Sequence, residues 1–355
     1  MAGFLAAIIA DDLTGALDSA APFACRGLKV LAATSLAGLP QALAQAPQVL
    51  AVNLGSREIP QAEAVARTGA AARAILAAAP PGLLWLKKID SRLKGHVGAE
   101  LAALAGVLHP AAILACPAVP DQGRTVRDGR LVGTGVTEPI AVADRLGALP
   151  GTLTVADAAS DGDLDRAVAA APGALFVGAR GLAAALARLL CPDAAAVAPP
   201  ALPAPMSFVI GSRDPITLAQ VDALRRAGGP AWIAAPDGAA PAARAPALLQ
   251  AVAAPDSPPT DGATVARRLA QGALPLLAAN SGSLVVTGGE TAAALLKAAD
   301  IAVLHILGEA QPGLPACRAA DRPDAPVLVT KSGGFGAPDS LLRLWRAAQP
   351  PRDLQ

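Results

Sequence analysis

Short apolar runs alternate with longer segments of helical period along almost the whole chain. Residues 6–10, 29–34, 49–54, 83–89, 112–116 and 174–178 have the length and apolar character of buried strands. Between them, 14–26, 61–78, 93–108 and 164–170 read as helices. The third of these sets Leu93, Val97, Leu101, Leu104 and Leu108 on one stripe, the spacing of a helix face turned to a core. The alternation predicts α/β layers.

The pattern breaks at "CPDAAAVAPPALPAPM", which packs four prolines between Pro199 and Pro205. Proline fixes φ and removes a backbone donor, so this stretch reads as a semi-stiff linker. Beyond it, strands are expected at 207–210, 231–234, 284–287, 302–307 and 327–330. The Ala/Pro-rich stretch 236–259 reads as a surface segment with at most a helical turn or two. The expected organisation is therefore a domain at 1–195, a linker at 196–206 and a second domain at 207–350.

Composition fits that picture. The 355 residues exceed what one core usually supports, and 53% are hydrophobic against 16% charged, which excludes a disordered or coiled-coil chain. Net charge is +1 with scattered basic residues and few aromatics, so no nucleic-acid partner is expected. No uninterrupted run is long enough to span a membrane, and the apolar run 2–10 lacks the basic start of a signal peptide. Four dispersed cysteines suit a reducing, cytoplasmic compartment, and neither they nor the three histidines form a zinc motif.

Ligands of open α/β sheets bind at the carboxyl ends of strands, and polar residues gather there in this chain. "ADDLTG" places Asp11 and Asp12 at the first strand exit, where they can be helix caps, metal ligands or proton acceptors. "NLGSRE" carries Arg57. "KKIDSRLKG" carries Lys88, Asp90, Ser91, Arg92 and Gly95. There Ser91 or Asp90 can cap the next helix, and Arg92 and Lys94 in a first helical turn would oppose its dipole, which points to an anion site. "PAVPDQGRTVRDG" adds Gly123, Arg124 and Thr125, where a flexible glycine lets an arginine fork approach an anion. The second half offers glycine-rich exits instead: "VIGSRDPIT", "SLVVTGGETAAALL" and "VLVTKSGGFGAPD". Glycines at a helix start free backbone amides for phosphate. There is no GxxxxGK[ST], and no GxGxxG follows the first strand, which disfavours a P-loop protein and a Rossmann dehydrogenase.

In order and spacing, "IADDLTGALD", "KKIDSRLKGHVGAEL", "CPAVPDQGRTVRDG", "VVTGGETA", "LGEAQPGLP" and "TKSGGFGAPD" resemble the four-carbon acid sugar kinases (tetronate kinases) across nearly the whole chain. The resemblance implies an N-terminal acid-sugar-binding domain, a C-terminal nucleotide-binding domain and an active site in the cleft between them. It implies ATP-dependent phosphorylation of a terminal hydroxyl on a four-carbon acid such as D-threonate, L-threonate, erythronate or 3-oxo-tetronate, with Mg²⁺, and leaves a homodimer open. Carried onto this sequence, Asp11 or Asp12 is the catalytic carboxylate. Arg57, Lys88, Asp90, Ser91, Arg92, Gly95, Gly123, Arg124 and Thr125 fall on the substrate side. Ser212, Thr287, Gly288, Gly289, Glu290, Thr291, Lys331, Ser332, Gly333, Gly334 and Gly336 fall on the ATP side. The chain departs from the family's pattern at Gly55, at Arg213–Asp214, at Ala292 and in a shortened segment after Arg130. Those departures keep a non-catalytic acid-sugar or nucleotide sensor of the same fold as the rival expectation.

Overall fold

The computed structural model describes residues 3–195, 197–255, 258, 260–278 and 282–349. Ala196 of the expected linker, three residues of the 236–259 stretch, and the two ends of the chain lie outside them. The chain forms two compact units that divide between Val197 and Ala198.

In the first unit the elements run β1 (Ala6–Ala10), α1 (Leu13–Ala24), β2 (Val30–Ala33), α2 (Leu39–Ala44), β3 (Val49–Asn53) and α3 (Gln61–Ala78). They continue with β4 (Leu84–Lys88), α4 (Val97–Leu108), β5 (Ala112–Cys116), β6 (Arg124–Arg127), β7 (Arg130–Gly133) and β8 (Ile140–Ala141). Last come α5 (Val142–Leu146), β9 (Thr152–Val155), α6 (Asp161–Ala169), β10 (Leu175–Gly178) and α7 (Arg180–Leu190). The order β2-β3-β1-β4-β10-β5-β9 is parallel throughout, while β6, β7 and β8 form a small antiparallel sheet of their own. Strands β1, β2 and β3 are wholly buried, as a sheet covered on both faces requires, and this is why they read as unbroken apolar runs. The chain moves from β1 to β2 and β3 on one side, then crosses to β4 on the other. That reversal puts a crevice at the carboxyl ends of β1 and β4.

The second unit holds β11 (Met206–Ile210), α8 (Pro215–Arg226), β12 (Ala231–Pro236), β13 (Ala247–Val252), α9 (Gly262–Leu277) and β14 (Ser283–Thr287). It ends with α10 (Gly289–Ala298), β15 (Val303–Gln311), β16 (Leu314–Ala319), β17 (Val327–Lys331) and α11 (Ser340–Ala347). Its order is β12-β13-β11-β14-β17-β16-β15, parallel through β17 and antiparallel beyond. Phe208, Ile210, Val285, Val329, Leu341 and Leu344 meet in its core.

Three expectations need correction. The stretch 236–259 contains β13, buried over Ala247–Ala251 and paired to both β11 and β12; alanine and proline around it hid a short apolar strand. The helix expected from 93 begins at Val97, because Leu93 (φ 60°) and Gly95 (φ 82°) take left-handed backbone that ends regular structure. Arg92 and Lys94 therefore stand on a loop and not in a first helical turn. The small β6–β8 sheet was not anticipated, since its alternating charged and apolar residues mimic a polar loop. Among the described residues no helix is long and apolar enough to cross a membrane.

Candidate active site

In the first unit, register decides what meets. Ala10 lies opposite both Asn53 of β3 and Lys88 of β4, so the residues following all three emerge together. Ser56 N–H donates to the Asp11 carbonyl at 2.8 Å, which keeps the segment after β3 against the β1 exit. Arg57 then closes a fork on Asp11, with Nε to Oδ2 at 2.8 Å and Nη2 to Oδ1 at 2.9 Å. Its Nη1 reaches Asp12 Oδ2 at 3.0 Å and Asp90 Oδ2 at 3.6 Å. One guanidinium thus serves three carboxylates. Burial works against charge on Arg57, but Asp12, Asp11 and Asp90 together hold its pKa well above the usual value. Burial likewise pushes the Asp11 carboxyl up, and Arg57, then Lys87 and Lys88, outweigh it and leave it below the ordinary range.

The aspartate pair divides its labour. Asp12 is the N-cap of α1, accepting from Gly15 N–H at 2.8 Å and Thr14 Oγ1 at 3.0 Å. Asp11 is tied directly to Arg57. Asp90 Oδ1 accepts from Arg92 N–H (2.9 Å) and Lys94 N–H (3.3 Å), shaping the loop; the N-cap of α4 is His96, so neither Asp90 nor Ser91 caps that helix. Lys88 is buried, donates to the Ile89 carbonyl at 3.0 Å and stands 4.0 Å from Asp18. A Cβ on Gly15 would lie 2.5 Å from Asp12 Oδ1 and 2.8 Å from Lys88 Nζ, so a side chain there would displace one or both.

Arg124 presents a different picture. Its Nε donates to Thr134 O at 3.0 Å, and its Nη1 to Ser91 Oγ and to Gln122 Oε1, each at 2.7 Å. Gly123 (φ 67°) makes the turn that aims it, and Thr125 lies half-buried on β6 opposite Val132. Burial and the neighbouring Arg92 depress the Arg124 pKa. Neither arginine has an ion pair with a carboxylate among the described residues. Asp90 and Asp121 offset part of that depression from beyond ion-pair distance, and two neighbouring guanidiniums of this kind have the chemistry to hold an anion.

In the second unit, β11, β14 and β17 are neighbours, with Ile210 opposite Thr287 and Thr287 opposite Lys331. The three glycine-rich exits therefore converge. A Cβ on Gly211 would run into the Thr291 side chain, and one on Gly333 would meet Ser212 Oγ and Asp214. Gly288 (φ 95°) starts α10 with its first amides free of side chains. Beside them opens a cavity of about 320 Å³, lined in part by Gly211, Arg213, Gly262, Gly289, Glu290 and Thr291. Thr287 Oγ1 is buried with no hydrogen-bond partner among the described residues. Asp214 N-caps α8 through Ile216 N–H at 2.9 Å, so its carboxylate is engaged by the fold.

Lys331 is placed unexpectedly. Its ammonium is buried and donates to Thr217 Oγ1 at 2.9 Å and to the Ser332 and Gly333 carbonyls, both at 3.0 Å. It shapes the Ser332–Gly336 loop from within, together with Gln220, whose Nε2 holds the Phe335 and Ala337 carbonyls. Gly334 and Gly336 (φ 86°) belong to that loop. Thr217 and Gln220 escaped sequence reasoning; their one signal was i,i+3 spacing on the buried face of α8. Burial pulls the Lys331 pKa down to about 8, partly offset by Asp214. The unfolded chain then binds more protons than the folded one from about pH 8 to the ordinary lysine range near 10, so stability rises with pH across that window. Lys331→Met is expected to flatten this rise, as read by urea midpoints at about pH 7 and about pH 10.

Asp18 and the Lys87–Glu100 pair were also missed. Burial pushes the Asp18 carboxyl up to about 6, Lys88 offsetting part of it. Lys87 Nζ and Glu100 Oε2 form a fully buried ion pair at 2.7 Å.

The comparisons agree with this division. Residues 6–140 match the family of sugar-binding N-terminal domains, and residues 232–341 match the nucleotide-binding C-terminal domain. A D-threonate kinase of Bordetella bronchiseptica is 32% identical over 422 aligned positions, covering 99% of each chain. With 355 residues here, that relative carries stretches this chain lacks. A 3-oxo-tetronate kinase of Cupriavidus necator is 31% identical, over 93% of this chain and 94% of its own. A crystal structure from Salmonella typhimurium LT2, described as a putative tRNA synthase, superposes with a TM-score of 0.72 at 20% identity over 99% of this chain and 100% of its own, a likeness of fold alone. The chain belongs to the four-carbon acid sugar kinases, phosphotransferases with an alcohol group as acceptor.

Proposed function

We propose that this protein transfers the γ-phosphoryl group of ATP to the terminal hydroxyl of a four-carbon sugar acid: D-threonate, L-threonate, erythronate or a 3-oxo-tetronate. The observation that carries the reading is the pair of neighbouring guanidiniums, Arg124 and Arg92, neither in a direct ion pair among the described residues, in the same unit as an arginine-clamped carboxylate cluster. Such a unit holds an anion at one end and presents proton acceptors at another. The substrate names of relatives differ among themselves, so the epimer is left to experiment.

ATP fits the second unit on three counts: glycines where a Cβ would clash, the start of α10, and the cavity beside it. Mg²⁺ in kinases is usually held by one or two carboxylates, phosphates and water, and Glu290, which lines that cavity, suits that role. When bound, ATP and Mg²⁺ supply the phosphoryl group and neutralise charge upon it.

The residues of the chain do the rest. Arg124 and Arg92 hold the substrate carboxylate, with Ser91 fixing the Arg124 fork. Arg57 sets the spacing of Asp11, Asp12 and Asp90 and has its charge balanced by them, so it acts as a positioning residue rather than as the substrate's counter-ion. Asp12, whose side chain is 24% exposed against 5% for Asp11, takes the hydroxyl proton, and Asp11 orients it through Arg57.

The test is release of ADP with Mg²⁺ over a panel of D-threonate, L-threonate, erythronate and 3-oxo-tetronates. Turnover on at least one is expected; silence from folded protein across the panel overturns the reading. On the active substrate, Asp12→Asn is expected to lower kcat by about 10²–10⁴-fold. Asp12→Asn with near-normal kcat would reduce Asp12 to a helix cap, whose loss costs about 1 kcal/mol of stability.

A further inference from the structure

The Lys87–Glu100 ion pair joins the end of β4, beside β1, to the first turn of α4. Both side chains are essentially inaccessible, at 0% and 1% exposure, and Lys87 Nζ also donates to the Lys88 carbonyl at 3.2 Å. Glu100 Oε1 has no partner among the described residues. As a stabilising device the pair is poorly built, because burying two charges costs more than their attraction returns unless every remaining polar atom is satisfied. Its position suggests another use. Lys87 on β4 lies opposite Ile9 of β1, two residues before Asp11, and Glu100 projects from the first turn of α4. The turn leading into α4 packs on Asp11 directly: a Cβ on Gly95 would stand 3.4 Å from Asp11 Oδ2.

The charged surroundings of Asp11 are defined on every side. Arg57 clamps it from the segment after β3, and Lys87 and Lys88, at the end of β4, add favourable charge. Asp12 and Asp90 share its arginine, Asp18 of α1 faces Lys88, and Glu100 is the acid of α4. His96, at the start of α4, is bonded through Nε2 to the Ile59 carbonyl. Arg57 is shared among three carboxylates. A further cation in a medium of low dielectric acts strongly over short distances.

We infer that the Lys87–Glu100 pair is a positioning device for Asp11: Lys87 keeps that carboxylate ionised and closed on Arg57, and Glu100 anchors the ammonium and ties it to α4. The functional part of this inference rests on the reading that the β1 exit is the phosphoryl-acceptor side of the enzyme. Protonation of Asp11 opens the Arg57 fork, and the arrangement of Asp12 and Asp90 goes with it. The acid limb of the kcat/KM profile therefore follows Asp11, whichever aspartate takes the proton.

The experiment titrates Asp11 itself, by the ¹³C resonance of its side-chain carboxyl, assigned through its loss in Asp11→Asn. Lys87→Met with Glu100→Leu replaces the pair by apolar side chains of similar size and is expected to fold. Its Asp11 midpoint is expected to move to higher pH than in the wild type, with the acid limb of kcat/KM moving alongside. The charge swap Lys87→Glu with Glu100→Lys keeps a buried pair but reverses the nearer charge, and is expected to move the midpoint further up. A pair with a merely structural role leaves the carboxyl titration where it was. An unmoved midpoint in the folded double variant overturns the inference. A midpoint that moves while the rate limb stays keeps the inference and removes the β1 exit from catalysis.

Discussion

Arg57→Ala is expected to be the most damaging single change in the first unit, lowering kcat/KM by about 10²–10⁴-fold, as loss of a positioned proton acceptor does. It is also expected to lower stability by about 3 kcal/mol, the low end of the cost of breaking a buried pair, since the Arg57 side chain keeps 19% exposure. The reason is the three carboxylates it leaves behind. Asp11 is nearly buried, and without the fork only Lys87 and Lys88 offset its desolvation, so its pKa rises.

The sign of the pH dependence follows. In the wild type Asp11 is depressed when folded, so its contribution is present above the unfolded-state pKa and is lost as pH falls through the folded one. In Arg57→Ala the folded Asp11 binds its proton more readily than in the wild type, so acidification costs the variant less. The stability gap between the two proteins is therefore widest near neutrality and narrows on the acid side. Urea unfolding across that range, beside steady-state kinetics, checks both parts. Arg57→Lys restores charge without the fork and is expected to recover stability better than rate.

Gly211→Ala is expected to weaken nucleotide binding by tenfold or more, while the first unit keeps its fold. The new methyl would occupy the space of the Thr291 side chain at the junction of β11 and α10. Overpacking of this kind costs about 1–3 kcal/mol, and about 1.4 kcal/mol is a factor of ten in affinity. Titration calorimetry with ADP and Mg²⁺ gives the number. Gly106→Ala is the control, since a Cβ at that position on α4 meets nothing within 4 Å, and it is expected to leave affinity unchanged. Unchanged ADP affinity in Gly211→Ala would remove the β11–β14–β17 exits from the nucleotide site.

The two variants probe opposite kinds of construction. Around Arg57 the structure concentrates charge and balances it within one cluster. Around Gly211 it omits a side chain so that the Thr291 side chain can pack against the backbone. The first variant tests the loss of a charge, the second a gain of volume.

The sequence by itself determined the α/β alternation, the strands β1, β3 and β5 nearly to the residue, and the polar strand exits. These are local matters, because a strand covered on both faces must be apolar throughout and a chain leaving it must supply polar groups. It also marked Asp11, Asp12, Arg57 and Arg124 as chemically pointed residues. Only the tertiary structure decided their partners. Asp11 and Arg57 are 46 residues apart, and Arg124 and Ser91 are 33 apart. No periodicity reports such pairings, since they depend on the register of separate strands. The same is true of Lys331, which the sequence placed only in an ATP-side motif and which is held inside by Thr217, 114 residues away. Lys87 and Lys88 are adjacent and identical in type, yet one pairs with Glu100 and the other lies beside Asp18. Alternate residues of a strand face opposite layers, and what waits in each layer is fixed by the fold.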